Sequence, residues 1–165
     1  MLAFALIVLV AVIGAILSTG RSAQGSAAPG FSVAPLQQPG PPVSLSQFRG
    51  RPVVMNFFAS WCPPCTAELP TLAAAQRRVG NSVAFVGIDV SDTSSSAIDL
   101  VKRSGVGYVV GTDPDYKLAN GLYHLRGLPS TVFIDSKGRI VATVLGQLTP
   151  SVLDQRLGQL SPRAS

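Results

Sequence analysis

The chain carries two cysteines, Cys62 and Cys65, in the spacing C-x-x-C. A tetrahedral zinc site needs four ligands. The sequence offers these two thiols and one distant histidine, His124, so no metal is expected. Haem attachment needs a histidine directly after the second cysteine, and position 66 is Thr66. A structural disulfide across so short a loop removes little chain entropy. A chain of 165 residues can also bury a core without such a staple. The remaining chemistry is a redox-active dithiol, with the Cys62–Cys65 disulfide itself as the only prosthetic element and no bound cofactor.

Such a dithiol needs a platform. Pro52 to Phe58 (PVVMNFF) is a near-continuous apolar run rich in β-branched and aromatic residues, the pattern of a strand buried on both faces. A helical stretch follows the cysteines to about Val79, with Leu69, Leu72, Ala73 and Gln76 at helical spacing and Pro70 predicting a kink. Cys62 then falls at a helix N-terminus, where unpaired N–H groups and the helix dipole favour a thiolate. Pro63 and Pro64 suit the first turn, whose N–H groups have no intrahelical acceptor, and they stiffen the loop. Cys65, one turn in, is expected to be the more buried, resolving thiol.

Further elements follow in alternation. Residues 82–89 read as a second buried strand, and Ser94 caps a helix with Ala97, Ile98 and Val101 on its apolar side, ending at Gly105. A short strand is expected over 108–110 and a short helix over 113–120. Strands over 131–135 and 139–144 flank a Ser136-Lys137-Gly138 turn, and a last helix starts at Thr149. This order predicts an α/β sheet covered on both faces. Upstream, two edge strands near 31–35 and 42–45 are joined by a proline-rich turn.

Residues 1–20 hold no charged side chain and are apolar through Leu17. As a helix rising about 1.5 Å per residue they span roughly 30 Å, the thickness of a hydrocarbon core. Two readings stay open: a membrane anchor through residues 2–19, or a signal peptide cleaved after the small-x-small triplet Ala23-Gln24-Gly25. Residues 21–30 read as a flexible tether and 31–165 as the folded domain.

The net charge is +5, from 13 basic and 8 acidic residues. The basic residues fall in separated pairs, Arg49/Arg51, Arg77/Arg78, Lys102/Arg103 and Lys137/Arg139. With no basic run and no aromatic interleaving, nucleic acid is not an expected partner. No phosphate-binding glycine motif of the GxxxxGK or GxGxxG type is present.

The segment Phe57-Phe58-Ala59-Ser60-Trp61-Cys62-Pro63-Pro64-Cys65-Thr66-Ala67-Glu68-Leu69-Pro70 resembles the active-site segment of the thioredoxin superfamily. It is similar in particular to the membrane-anchored, extracytoplasmic TlpA/ResA/DsbE branch. Gly127-Leu128-Pro129-Ser130-Thr131-Val132-Phe133-Ile134-Asp135 resembles that family's second motif, whose proline is cis and faces the cysteine pair. The resemblance implies a thioredoxin-like fold: a central mixed sheet flanked by helices, an N-terminal β-hairpin, a strand–helix insertion over 92–112, and one preceding transmembrane helix.

It also implies roles. Cys62, Cys65, Glu68 and Pro129 would carry catalysis, and Trp61, Pro63, Pro64 and Leu128 would contact substrate. The buried acid of plain thioredoxin is replaced by Asn56, which leaves Glu68, the chain's single glutamate, to move the proton of Cys65. The plainer reading of Glu68 is a carboxylate on the helix surface. Trp61 could be core rather than a shield of the dithiol, His124 reads as a turn residue, and Tyr116 and Tyr123 read as packing residues.

The implied enzyme is a monomeric thiol–disulfide oxidoreductase outside the cytoplasm, held at the cell membrane or secreted if the leader is cleaved. It would reduce protein disulfides such as those of apocytochrome c and be recharged by a membrane electron donor of the CcdA/DsbD type. An oxidant of secreted proteins and a redox-sensitive client-binding module without turnover are the alternatives.

Overall fold

The structure is a computed structural model that describes residues 25–160. Its elements are β1 (Ser32–Val33), β2 (Val43–Ser44), β3 (Val53–Phe58), α1 (Pro63–Val79), β4 (Ala84–Val90), α2 (Ser94–Arg103), β5 (Val109–Asp113), a π-helical stretch Lys117–Leu122, β6 (Ser130–Ile134), β7 (Ile140–Leu145) and α3 (Pro150–Leu160). The apolar run 1–20, with the expected transmembrane helix or leader, lies outside the described residues. Among the described residues no helix is long and apolar enough to cross a membrane.

One mixed sheet organises the domain in the order β5-β4-β3-β6-β7. Strands β3, β4 and β5 run parallel, and β6 and β7 add antiparallel on the other side. The central strand β3 is buried at all six positions. Its alternation splits the core: Val54 and Phe58 join one cluster with Cys65, Leu69 and Leu72 of α1, while Val53, Met55 and Phe57 join another with Leu118 and Tyr123.

All three α-helices pack on the first of these faces. The crossovers β3-α1-β4 and β4-α2-β5 step the same way across the sheet, so right-handed connections place both helices on one side. The second face is covered instead by the β1–β2 hairpin, the segment leading into it and the π-helical stretch, a difference from helices on both faces.

Local chemistry shifts several expected boundaries. Thr93, not Ser94, is the N-cap of α2, its hydroxyl accepting from the Ser96 amide at 3.4 Å. The strand expected over 108–110 runs over Val109–Asp113. No helix starts at 113, because Asp113 closes β5 and its carboxylate accepts the amides of Leu118 and Ala119 at 3.0 and 2.8 Å. The edge strands shrink to a two-residue ladder, and α1 continues through Pro70 without a break.

Residues 25–30 of the expected tether lie on the domain. The Ala28 amide donates to Gly138, Ser26 accepts from the Ile140 amide, and the Tyr123 hydroxyl donates to the Pro29 carbonyl. Tyr123 is thus a packing residue, edge-on to Phe31 and tilted against Phe57. Tyr116 is not: it is 38% exposed at φ 57°.

The hairpin closes over β5 at Gly111, where a Cβ would meet a Val33 methyl at 2.4 Å and Val43 at 3.3 Å. Gly158 in α3 has open space around it. Gly111→Ala is therefore expected to cost about 1–3 kcal/mol by overpacking. Gly158→Ala should add roughly 0.5–1 kcal/mol through helix propensity. Urea unfolding of both variants checks the contrast, and equal effects would contradict this packing.

Candidate active site

The dithiol sits where β3 hands over to α1. Cys62 is the N-cap of α1, and its Sγ accepts from the Cys65 amide at 3.3 Å. Pro63 and Pro64 fill the first two helical positions and are exposed. Cys62 and Cys65 form a disulfide with an S–S distance of 2.04 Å. Cys65 is fully buried and Cys62 retains 4% exposure, so Cys62 is the more accessible of the two.

Below the pair, Glu68 is fully buried, which replaces the reading of it as a surface carboxylate. One oxygen accepts from Asn56 Nδ2 and the other from the Leu148 amide, both at 2.7 Å. Burial pushes its carboxyl above the ordinary value, while the bonds from Leu148 and Asn56 pull it back down. Asn56 Nδ2 also donates to Thr131 Oγ1 at 3.0 Å. One carboxylate thereby ties α1 to β3, to β6 and to the loop entering α3.

Thr131 is the second residue of β6, directly after the loop of Leu128 and Pro129, whose peptide bond is cis. The Ser130 hydroxyl donates to the Gly127 carbonyl at 2.7 Å, and the Gly146 amide donates to the Pro129 carbonyl at 2.8 Å. Pro129 is buried and Leu128 is half-buried. His124 is exposed at φ 52°, as expected of a turn residue.

Trp61 is not core. It is 55% exposed, and its indole N–H donates to the Ser91 carbonyl at 2.9 Å. Its neighbour Ser60 donates through its amide and its hydroxyl to the Asp92 carboxylate, at 2.5 and 2.9 Å. The loop after β4 thus holds the two residues that precede Cys62.

This second acidic group carries no motif signal in the sequence; only the end of β4 brings it to Ser60. Asp89, in the last stretch of β4 three residues before Asp92, is 3% exposed with one carboxyl oxygen lacking a partner. Burial, then the neighbouring Asp92 charge and a hydrogen bond shared with it, push the Asp89 carboxyl up to about 7.

A carboxyl raised in the folded state binds its proton more tightly there, so this stability is present at low pH and lost as pH rises through about 7. Asp89→Asn should therefore be more stable than the native protein at pH 8, on the order of 1–3 kcal/mol, with the gain shrinking toward pH 4. Thermal unfolding across that range checks this, and a pH-independent difference would contradict it.

Known proteins match this chain in sequence and in fold. The Redoxin family profile matches residues 23–157. The chain is 29% identical over 140 residues to the thiol-disulfide oxidoreductase ResA of Bacillus subtilis, covering 84% of this chain and 76% of that protein. It is 30% identical over 138 residues to the thiol:disulfide interchange protein HelX of Rhodobacter capsulatus, covering 82% and 76%. The crystal structure of a DsbF homologue from Corynebacterium diphtheriae matches with a TM-score of 0.74 at 29% identity, covering 86% of this chain and 89% of that one. The chain belongs to the Redoxin family, and within it to the TlpA/ResA/DsbE-like thioredoxin-fold enzymes, as a thiol–disulfide oxidoreductase working through Cys62 and Cys65.

Proposed function

We propose that the enzyme works as a reductant of protein disulfides outside the cytoplasm, with apocytochrome c before haem ligation as a fitting client. The observation that carries this reading is the full burial of Cys65 and Glu68 one helical turn apart, behind a cysteine at the helix N-terminus. In the reduced enzyme Cys62 is the attacking thiolate. It displaces one substrate sulfur, forming a mixed disulfide, and the released substrate thiolate takes up a proton.

Cys65 then resolves the intermediate. Its thiol passes a proton to Glu68, its sulfur attacks the Cys62 sulfur, and the second substrate thiolate leaves and takes up the proton that Glu68 returns. The enzyme dithiol becomes the Cys62–Cys65 disulfide, and the substrate disulfide becomes two thiols. Trp61, Pro63, Pro64, Leu128 and Pro129 would line the approach of the substrate chain. An electron donor of the CcdA/DsbD type would return two electrons and two protons to the pair. The uncharged run 1–20 supports an anchored enzyme, which would act as a monomer with its domain facing outward.

The two cysteines should behave differently toward a peptide bearing an oxidised C-x-x-C-H haem-attachment sequence. Cys65→Ser is expected to accumulate the mixed disulfide, and Cys62→Ser to form none. Equal trapping by both variants would overturn the assignment. For the reductive direction, equilibration with glutathione should place the Cys62–Cys65 couple well below about −200 mV, and a value near −120 mV would mark an oxidant instead.

A further inference from the structure

The four basic pairs that are scattered in sequence are gathered by the fold. Helices α1 and α2 both start at the dithiol end of the sheet, so Arg77/Arg78 and Lys102/Arg103, in their last turns, lie at the opposite end. Arg49/Arg51 precede the far end of β3, and Lys137/Arg139 lie in the turn between β6 and β7 at that same end. Contacts join them: Arg51 donates to the Asn81 carbonyl at 3.5 Å, and Arg77 donates to the Gly105 carbonyl at 3.0 Å. Arg49, Arg51 and Lys137 line one cleft with Ala28.

Helix-end electrostatics accounts for the cations of α1 and α2 but not for the other four. The carboxylates at this pole are Asp135, which accepts the Lys137 and Arg139 amides, and Asp154, which pairs with Arg78, while Asp99 lies one turn before Arg103. The dithiol pole carries no such excess of cations: Glu68, Asp89 and Asp113 are buried there, Asp92 is half-buried, Asp115 pairs with Lys117 at 3.0 Å, and Arg126 is the other cation.

The chain enters the domain beside the basic pole, where Arg139 donates to the Gly25 carbonyl at 3.0 Å and Ala28 to Ser26 bond the start of β7 and the turn before it. Four residues separate Gly25 from the uncharged run that ends at Gly20. Even fully extended, that link reaches at most about 18 Å, which holds the domain against a bilayer entered by residues 1–20. The charge chooses which pole faces it.

We infer that the basic pole built from these four pairs docks on anionic lipid headgroups, directing the dithiol away from the bilayer toward clients in the aqueous compartment. Juxtamembrane cations attract such headgroups over about a Debye length, and salt screens the attraction. The inference rests on the anchored reading of residues 1–20. A membrane-embedded donor would then reach the dithiol when the basic pole lifts off.

Trp61 is the only tryptophan and lies at the dithiol pole, so it reports that pole's height. The full chain is reconstituted in vesicles of phosphatidylcholine, with or without phosphatidylglycerol, containing a trace of dansyl-labelled lipid. Energy transfer from Trp61 to dansyl should fall when phosphatidylglycerol is present, recover in high salt, and show no lipid dependence in Arg49→Glu/Lys102→Glu/Arg103→Glu/Lys137→Glu. Transfer that rises with phosphatidylglycerol, or that ignores it in the native sequence, overturns the docking. A carbonate wash separates the two readings: protein stripped by it lacks the anchor. Docking of such stripped protein is then judged by co-sedimentation with phosphatidylglycerol vesicles. Binding lost in the fourfold variant supports it, and absence of binding by the native chain overturns it.

Discussion

A carboxylate with no access to water stands under the reactive disulfide, and much of the site is arranged around it. Leaving Glu68 ionised and unpaired in the core would be far costlier than any single contact it makes. Two donors meet it: an amide side chain on the central strand and a backbone amide from the loop that enters α3. Those bonds favour the charged form, and burial favours the neutral one. Burial outweighs the two bonds, so Glu68 holds a proton more readily than a free glutamate, the direction that a group accepting the proton of Cys65 requires. Its partner Asn56 cannot ionise, so the titration belongs to Glu68 and not to a shared pair.

The surrounding fold makes that arrangement rigid. Asn56 bridges to Thr131, two residues after the cis Leu128–Pro129 bond, so the proline loop and the helix carrying the cysteines share one network. On the other flank, Asp92 and the Ser91 carbonyl hold Ser60 and Trp61. Cys62 therefore sits between two anchored segments while its own sulfur caps the helix. Cys62 keeps the little exposure that the pair has, and Cys65 is fully screened.

What could be read along the chain is what local pattern encodes. The C-x-x-C spacing, the prolines after Cys62 and the run 52–58 fix the dithiol at a strand-to-helix junction without any knowledge of neighbours. The contacts that set its chemistry are distant in sequence: Glu68 meets Asn56 twelve residues away and Leu148 eighty residues away. Asp92 reaches Ser60 across thirty-two residues, with no motif to announce it. Local misreadings have local causes. Thr93 outcompetes Ser94 for the cap of α2, and Asp113 spends its carboxylate on amides beyond Tyr116 instead of starting a helix at 113. The basic pairs read as scattered because only the folded sheet, through its strand–helix units and the β6–β7 turn, brings them to one pole.

The most direct measurement exploits Glu68 being the only glutamate in the chain. Labelling the reduced protein with glutamate carrying 13C at Cδ yields one side-chain carboxyl resonance, and its shift can be followed with pH. A midpoint clearly above the ordinary glutamate value of about 4.3, displaced when Cys65 is replaced by serine, is the expected result. A midpoint at or below that value, unchanged in Cys65→Ser, would contradict a buried carboxyl that exchanges its proton with the resolving thiol.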